Sequence, residues 1–269
     1  MTDTARNGNF ELAYDVTGAG PDLLLVSGSA STRAIWSLVR PRLGASFRTI
    51  AFDNRDSGES TIAREEYGLS ELAADALAVL DASGSQKAHV LGHSMGGVVA
   101  QELALEYPER VASLTLVATW ARGDTYSKNI MELMASLTEA IDDPRALLAA
   151  ILYAGAGTTT LRTASLFEMV DAAMALGPLA PREALLRQWQ LDASVDTLAR
   201  LVNLSMPVHV IWGTEDPLLP PWYSRQILDE VPAGFGTPID ACGHLPMIVA
   251  ADDFVGAVTS FLSGVAGLS

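Results

Sequence analysis

The segment Gly92-His93-Ser94-Met95-Gly96, followed by Gly97, gives a serine glycines two before and two after, directly after the apolar run Ala88–Leu91 and directly before a helical pattern. A strand that turns this sharply into a helix holds its central residue in a strained conformation and lifts that side chain clear of the sheet. The helix N-terminus behind it favours negative charge. Such a serine is a candidate nucleophile, and a hydroxyl nucleophile needs a base. The chain has 4 histidines. His89 and His209 fall inside apolar strand runs, and His93 is locked within the turn itself. His244, in Ala241-Cys242-Gly243-His244-Leu245-Pro246, is the histidine in a loop free to reach the serine, so elimination nominates it as the base. A base of this kind is oriented by a carboxylate, and the turn Gly213-Thr214-Glu215-Asp216-Pro217 offers Glu215 or Asp216. A serine nucleophile with such a base and acid fits acyl transfer through a covalent acyl-enzyme.

Elements must bring these three loops to one edge. Leu23–Val26, Arg48–Phe52, Ala88–Leu91, Leu114–Val117 and Val208–Trp212 are nearly continuous apolar runs, as strands buried on both faces of a parallel sheet require. Phe10–Val16 alternates and predicts a half-exposed antiparallel strand near an edge, and Phe235–Asp240 predicts a weaker late strand. Helices are expected at Ser70–Leu80, with a Ser cap, and at Ser94–Glu106 and Asp252–Leu262. Strand and helix in alternation give an α/β architecture with a mostly parallel, doubly wound sheet. Residues 121–205 break the rhythm: Met131–Ile141, Pro144–Tyr153, Thr163–Leu176 and Pro181–Trp189 read as short helices with no strand among them. The division expected is a core of residues 1–120 and 206–269, with residues 121–205 a helical cap inserted between core strands and shaping the pocket at the strand ends.

Composition narrows the function classes. At 269 residues, 49% hydrophobic and 18% charged, the chain suits a globular enzyme. A formal charge of −15 disfavours nucleic acid and anionic lipid as partners. No apolar run approaches the roughly 18 residues of a membrane span. The polar Met1–Asn9 lacks the order of a signal peptide, and the single cysteine, Cys242, forms no internal disulfide, so a cytoplasmic protein is expected. Cys242 reads as a buried spectator. No histidine, cysteine and carboxylate cluster has metal spacing, and no glycine-rich loop suits a dinucleotide, so neither metal nor cofactor is expected.

Four motifs in order resemble the α/β-hydrolase superfamily, in its branch of small capped esterases, enol-lactonases and cofactor-free perhydrolases. Ser27-Gly28-Ser29 ahead of Trp36 is similar to the oxyanion loop. Asp53-Asn54-Arg55-Asp56-Ser57-Gly58-Glu59-Ser60 resembles a characteristic turn, and the serine elbow and Gly213-x-x-Asp216 with Gly243-His244 complete the set. The resemblance implies Asp216, not Glu215, as the acid, and the backbone N–H groups of Ser29 and Met95 as the oxyanion hole. Ser27 stands where the family usually has His. Asp56 replaces a Gly, as in polyketide-tailoring esterases such as aclacinomycin methylesterase. Asp53 and Arg55 are expected to form a structural ion pair.

Trp36, Trp120, Trp189, Trp212 and Trp222, with Met131, Met134, Met169 and Met174, either line an apolar acyl pocket or pack the core, and the sequence does not separate the two. Gly28 and Leu218 are further candidates for the pocket wall. The function implied is hydrolysis of a small or medium carboxylic ester by Ser94, His244 and Asp216. Elimination of a carboxylate such as acetate from a polyketide-type ester is the alternative on the same residues. Perhydrolysis and carbon–carbon cleavage share the triad too, and a non-enzymatic receptor built on a hydrolase pocket is the rival from a different class.

Overall fold

Along Asp22-Leu23-Leu24-Leu25-Val26, successive side chains enter two different cores: Leu24 and Val26 pack into one apolar cluster, Leu23 and Leu25 into the other. The same division recurs at Val90 and Leu91 and at Val210 and Ile211. A strand buried on both faces has no polar side to show, which is why these runs read as continuous rather than alternating. The structure, a computed structural model, describes residues 2–266. It contains a sheet of 8 strands: β1 (Asp3–Asn7), β2 (Phe10–Thr17), β3 (Asp22–Val26), β4 (Arg48–Phe52), β5 (Ala88–His93), β6 (Val111–Val117), β7 (Val208–Gly213) and β8 (Gly234–Ile239). Their order is β1-β2-β4-β3-β5-β6-β7-β8. β1 pairs with β2 and β2 with β4 antiparallel, and every other pairing is parallel. Helices Leu69–Ala82, Met95–Glu106 and Pro221–Glu230 bury their apolar faces in one core, and Ala251–Ala266 covers the other.

The chain runs from β3 outward to β4, then crosses back over β3 to β5. That reversal opens a crevice beyond the carboxyl ends of β3 and β5, the place where open α/β sheets bind ligands. Between β6 and β7 the chain inserts helices Thr125–Ala140, Pro144–Gly155, Thr158–Thr163, Leu166–Ala175 and Arg182–Ala193, with two apolar clusters of their own.

Several elements differ from expectation. β1 gave no sequence signal, because only Ala5 of its residues is buried. The helix expected from Ser70 starts at Leu69. The Glu71 side chain accepts the Gly68 N–H at 2.9 Å, while Ser70 Oγ donates to Glu106 Oε1 at 2.6 Å. The first inserted helix begins at Thr125, ahead of Met131, because Asp124 accepts the Ser127 N–H at 3.0 Å. The helix expected over Thr163–Leu176 is two helices, divided where Ser165 caps the second.

The expected Asp53–Arg55 pair is not formed. Arg55 reaches helix Leu69–Ala82 and binds Asp75 through two hydrogen bonds of 2.6 and 2.8 Å, both residues being buried, whereas Asp53 holds Arg33. Leaving one buried charge without its partner costs about 3–5 kcal/mol. Asp75→Ala is therefore expected to lose stability on that order in urea unfolding. Breaking the exposed Arg6–Glu11 pair should change it by less than about 1 kcal/mol.

Candidate active site

Ser94 sits between β5 and helix Met95–Glu106 at φ 53°, ψ −124°. This is a conformation that non-glycine residues adopt only when their surroundings enforce it. Those surroundings are backbone. A Cβ on Gly92 would lie 2.1 Å from the Gly96 carbonyl oxygen, and one on Gly96 would lie 2.2 Å from that of Val26. The two glycines thus let the helix press against β5 and β3, and the serine between them takes up the twist. Ser94 N–H donates to the Val117 carbonyl at 2.9 Å, and Thr119 Oγ1 donates to the Ser94 carbonyl at 2.7 Å, pinning the turn to the end of β6.

Asp216 follows β7. Its Oδ1 accepts the N–H groups of Leu218 and Leu219 at 2.9 and 3.0 Å, and its Oδ2 lies 2.8 Å from His244 Nδ1. Both side chains are buried. The arrangement fixes the tautomer: Nδ1 donates to the carboxylate, which leaves Nε2 as the acceptor. Glu215, the rival acid, instead accepts from the backbone N–H and the hydroxyl of Thr159 at 2.6 and 2.7 Å, tying the insertion to the acid loop.

The His244 backbone is held from both sides. Its N–H donates to the Gly155 carbonyl at 2.8 Å, and its carbonyl lies 2.9 Å from His93 Nε2. Burial, and then the proximity of His244, push the His93 pKa down to about 3, so its ring stays neutral and donates from Nε2. His93 thus supports the His244 backbone. Trp36 packs edge-on behind it with ring centroids 6.5 Å apart.

Ser94 and His244 open onto one cavity of about 410 Å³. Ser29 and Met95 meet beside it, Ser29 Oγ lying 3.3 Å from Met95 Sδ. The Met95 N–H belongs to the first helical turn, whose amides have no acceptor within the helix. Of the other residues expected in the wall, Trp189 and Leu218 are present, as are Met131, Met134 and Met169. Trp36 and Trp120 are not: both are fully buried, Trp36 under His93 and Trp120 in the core beneath helix Met95–Glu106. Gly28 is not in the wall either. It backs Ser94, and a Cβ there would lie 2.9 Å from Ser94 Cβ. Met174 packs within the insertion, Trp212 in the core, and Trp222 stands on the surface against Tyr126.

The sequence reading missed Arg187, Gln188 and Asp192, on the inserted helix Arg182–Ala193. Arg187 binds Asp56 through bonds of 2.8 and 2.9 Å; Gln188 Oε1 accepts the Ala30 N–H at 2.8 Å; Asp192 accepts from Ser29 Oγ at 2.7 Å. A signal existed: Gln188 and Asp192 share the buried stripe of an amphipathic helix with Ala184 and Leu185. Among the described residues no group of three or more His, Cys, Asp or Glu could hold a metal ion, and no helix is long and apolar enough to cross a membrane.

Residues 21–251 match the alpha/beta hydrolase fold family, and the chain belongs to that family: it is a hydrolase of this fold. It is 28% identical to a protein of Azorhizobium caulinodans named "Putative carbamate hydrolase RutD", over 93% of this chain and 94% of that one. It is similar in structure to a thermophilic esterase from Thermogutta terrifontis, with a TM-score of 0.86 and 27% identity, covering 98% of each chain. It is likewise similar to a hydrolase from Pseudomonas aeruginosa, with a TM-score of 0.86 and 28% identity over 97% of this chain and 98% of that one.

Cys242 adjoins the histidine loop, yet it is fully buried, and burial followed by the charges of Asp216 and Glu215 pushes its thiol pKa up to about 12. A thiol without thiolate character does not react. Iodoacetamide at neutral pH is expected to leave the native protein unlabelled by mass spectrometry and to alkylate Cys242 after unfolding in guanidinium.

Proposed function

We propose that the chain hydrolyses carboxylic esters of neutral, largely apolar substrates, with Ser94 as nucleophile, His244 as general base and Asp216 orienting the imidazole. The observation that carries this reading is the His244–Asp216 hydrogen bond of 2.8 Å at the wall of the cavity onto which the strained Ser94 also opens. Ser94 Oγ would attack the ester carbonyl while His244 Nε2 takes its proton. The N–H groups of Ser29 and Met95 would bind the developing oxyanion, and His244 would return the proton to the departing alkoxide. Water activated by the same base would then release the acid. Each such N–H contributes on the order of 3 kcal/mol.

The cavity wall supports this substrate class. The insertion supplies Met131, Met134, Leu148, Ile151 and Leu152, the half-exposed Leu38 and Leu176 also line the cavity, and no Lys or Arg does. A substrate anion would find no counter-charge there, which favours a neutral ester over a small charged carbamate. Elimination has no such support: Asp56, on which the polyketide-tailoring resemblance rests, does not line the cavity and is held by Arg187. A cytoplasmic setting belongs to the same proposal, supported by a buried, unpaired cysteine.

The test is hydrolysis of p-nitrophenyl acetate, butyrate and hexanoate. Ser94→Ala should abolish turnover and labelling by a fluorophosphonate. Asp216→Asn should lower kcat by roughly 10³–10⁴-fold, through loss of the correct imidazole tautomer. Catalytic efficiency should rise with acyl length by up to about fourfold per methylene, the equivalent of about 0.8 kcal/mol of burial. Activity that survives Ser94→Ala would refute the proposal.

A further inference from the structure

Asp192 leaves the last turn of helix Arg182–Ala193 and enters the cavity wall beside Ser29. The residue is 1% exposed. Its Oδ2 accepts from Ser29 Oγ at 2.7 Å, and its Oδ1 has no hydrogen-bond partner. No cation answers it: Arg187, on the same helix, is occupied by Asp56, and the cavity wall contains no Lys or Arg. A carboxylate buried in this way costs several kcal/mol and would ordinarily be replaced or paired.

Asp192 and Gln188, one turn apart, grip adjoining residues of one loop. Gln188 takes the Ala30 N–H and Asp192 takes the Ser29 hydroxyl. Below the loop the support is thinner. The buried Ser27 hydroxyl has no partner, and Asn54 Nδ2 donates to the Ser27 carbonyl at 2.9 Å. The direction of the Ser29 N–H is therefore set in large part from the inserted helix.

We propose that Asp192 is a positioning residue: it holds the Ser29 side chain and so aims the Ser29 backbone N–H at the carbonyl oxygen of a bound ester. This rests on the hydrolase reading above and adds to it a residue that works through Ser29, without touching the reacting atoms.

The working form is the neutral acid. Burial raises the Asp192 pKa to about 7, against the opposing pull of the Ser29 hydrogen bond. Of the ionisable groups around it, Tyr67 is held neutral by burial and by the nearby carboxyls, and Arg187 and Asp56 neutralise one another; His93, kept neutral by burial, and His244 share the cavity wall. Below its pKa the carboxyl is uncharged. As pH rises through that value it acquires a negative charge beside the place where the oxyanion develops, which raises the barrier. Activity should consequently fall on the alkaline side.

The experiment is the dependence of kcat and KM on pH, from about pH 5 to about pH 9, for p-nitrophenyl butyrate with the wild type, Asp192→Asn and Asp192→Ala. Asparagine accepts the same hydrogen bond and cannot ionise. That variant should keep kcat within about threefold at pH 6 and lose the alkaline fall. Alanine should lower kcat by roughly 10–100-fold with KM changed far less, as expected when a transition-state contact is misdirected. Should Asp192→Ala not fold, Ser29→Ala removes the same hydrogen bond from the other side and should show the same split between kcat and KM. An alanine variant with wild-type kcat, or an asparagine variant with the wild-type alkaline fall, would overturn the proposal. Hydrogen exchange of the amides at residues 28–31 gives a readout independent of turnover, with faster exchange expected in Asp192→Ala. If the wild type cleaves no ester, the hydrolase reading fails, and unchanged exchange then overturns the positioning role on its own.

Discussion

The backbone of Ser94 is forced into a positive φ because helix Met95–Glu106 must pass β5 and β3 with no Cβ between them. Most of the site follows from that contact. It lifts the serine above the sheet and makes β3 and β5 immediate neighbours, so that Ser29 arrives from the end of one strand and Ser94 from the end of the other. The strain is on the order of 1–3 kcal/mol. It is held by the Val117 carbonyl and by Thr119, both at the end of β6, so the neighbouring strand completes the constraint.

A second layer of order comes from the insertion, which is stitched to the loops around the Ser94 turn. Gly155 takes the His244 N–H, Thr159 holds the residue next to Asp216, Gln188 and Asp192 hold the loop of Ser29 and Ala30, and Arg187 holds the turn at Asp56. Asp56 is itself at positive φ, where a glycine would be free of strain, and its side chain turns that position into an anchor. The same helices that set the shape of the cavity thus also set the geometry of the residues at its floor.

Much of the core and the site was legible because the signals are local. Continuous apolar runs gave five of the strands, alternation and a weaker late run gave two more, and the elbow stood out because glycines are demanded by backbone approaching backbone within five residues. His244 emerged from elimination among 4 histidines. What stayed hidden depends on distance in the chain. β1 buries a single side chain, so no periodicity marks it. Trp36 and Trp120 carry the same chemistry as Trp189, and only the tertiary fold puts two of them in the core and one in the cavity wall. Arg55 chose Asp75 over Asp53 because its side chain leaves the strand end toward a helix that sequence proximity does not reveal.

The stitching has a consequence for how such a protein can change. Were residues 125–193 an independent lid, substrate range could drift through this segment, or be exchanged by grafting it from a relative, while the machinery below stayed intact. Here a graft carries away the hydrogen bonds that hold His244, Ala30, Ser29 and Asp56 in place. Pocket shape and reaction geometry are therefore inherited together. The freedom to alter one without the other lies in the apolar side chains between the anchoring residues, such as Met131, Leu148 and Leu152, which face the cavity.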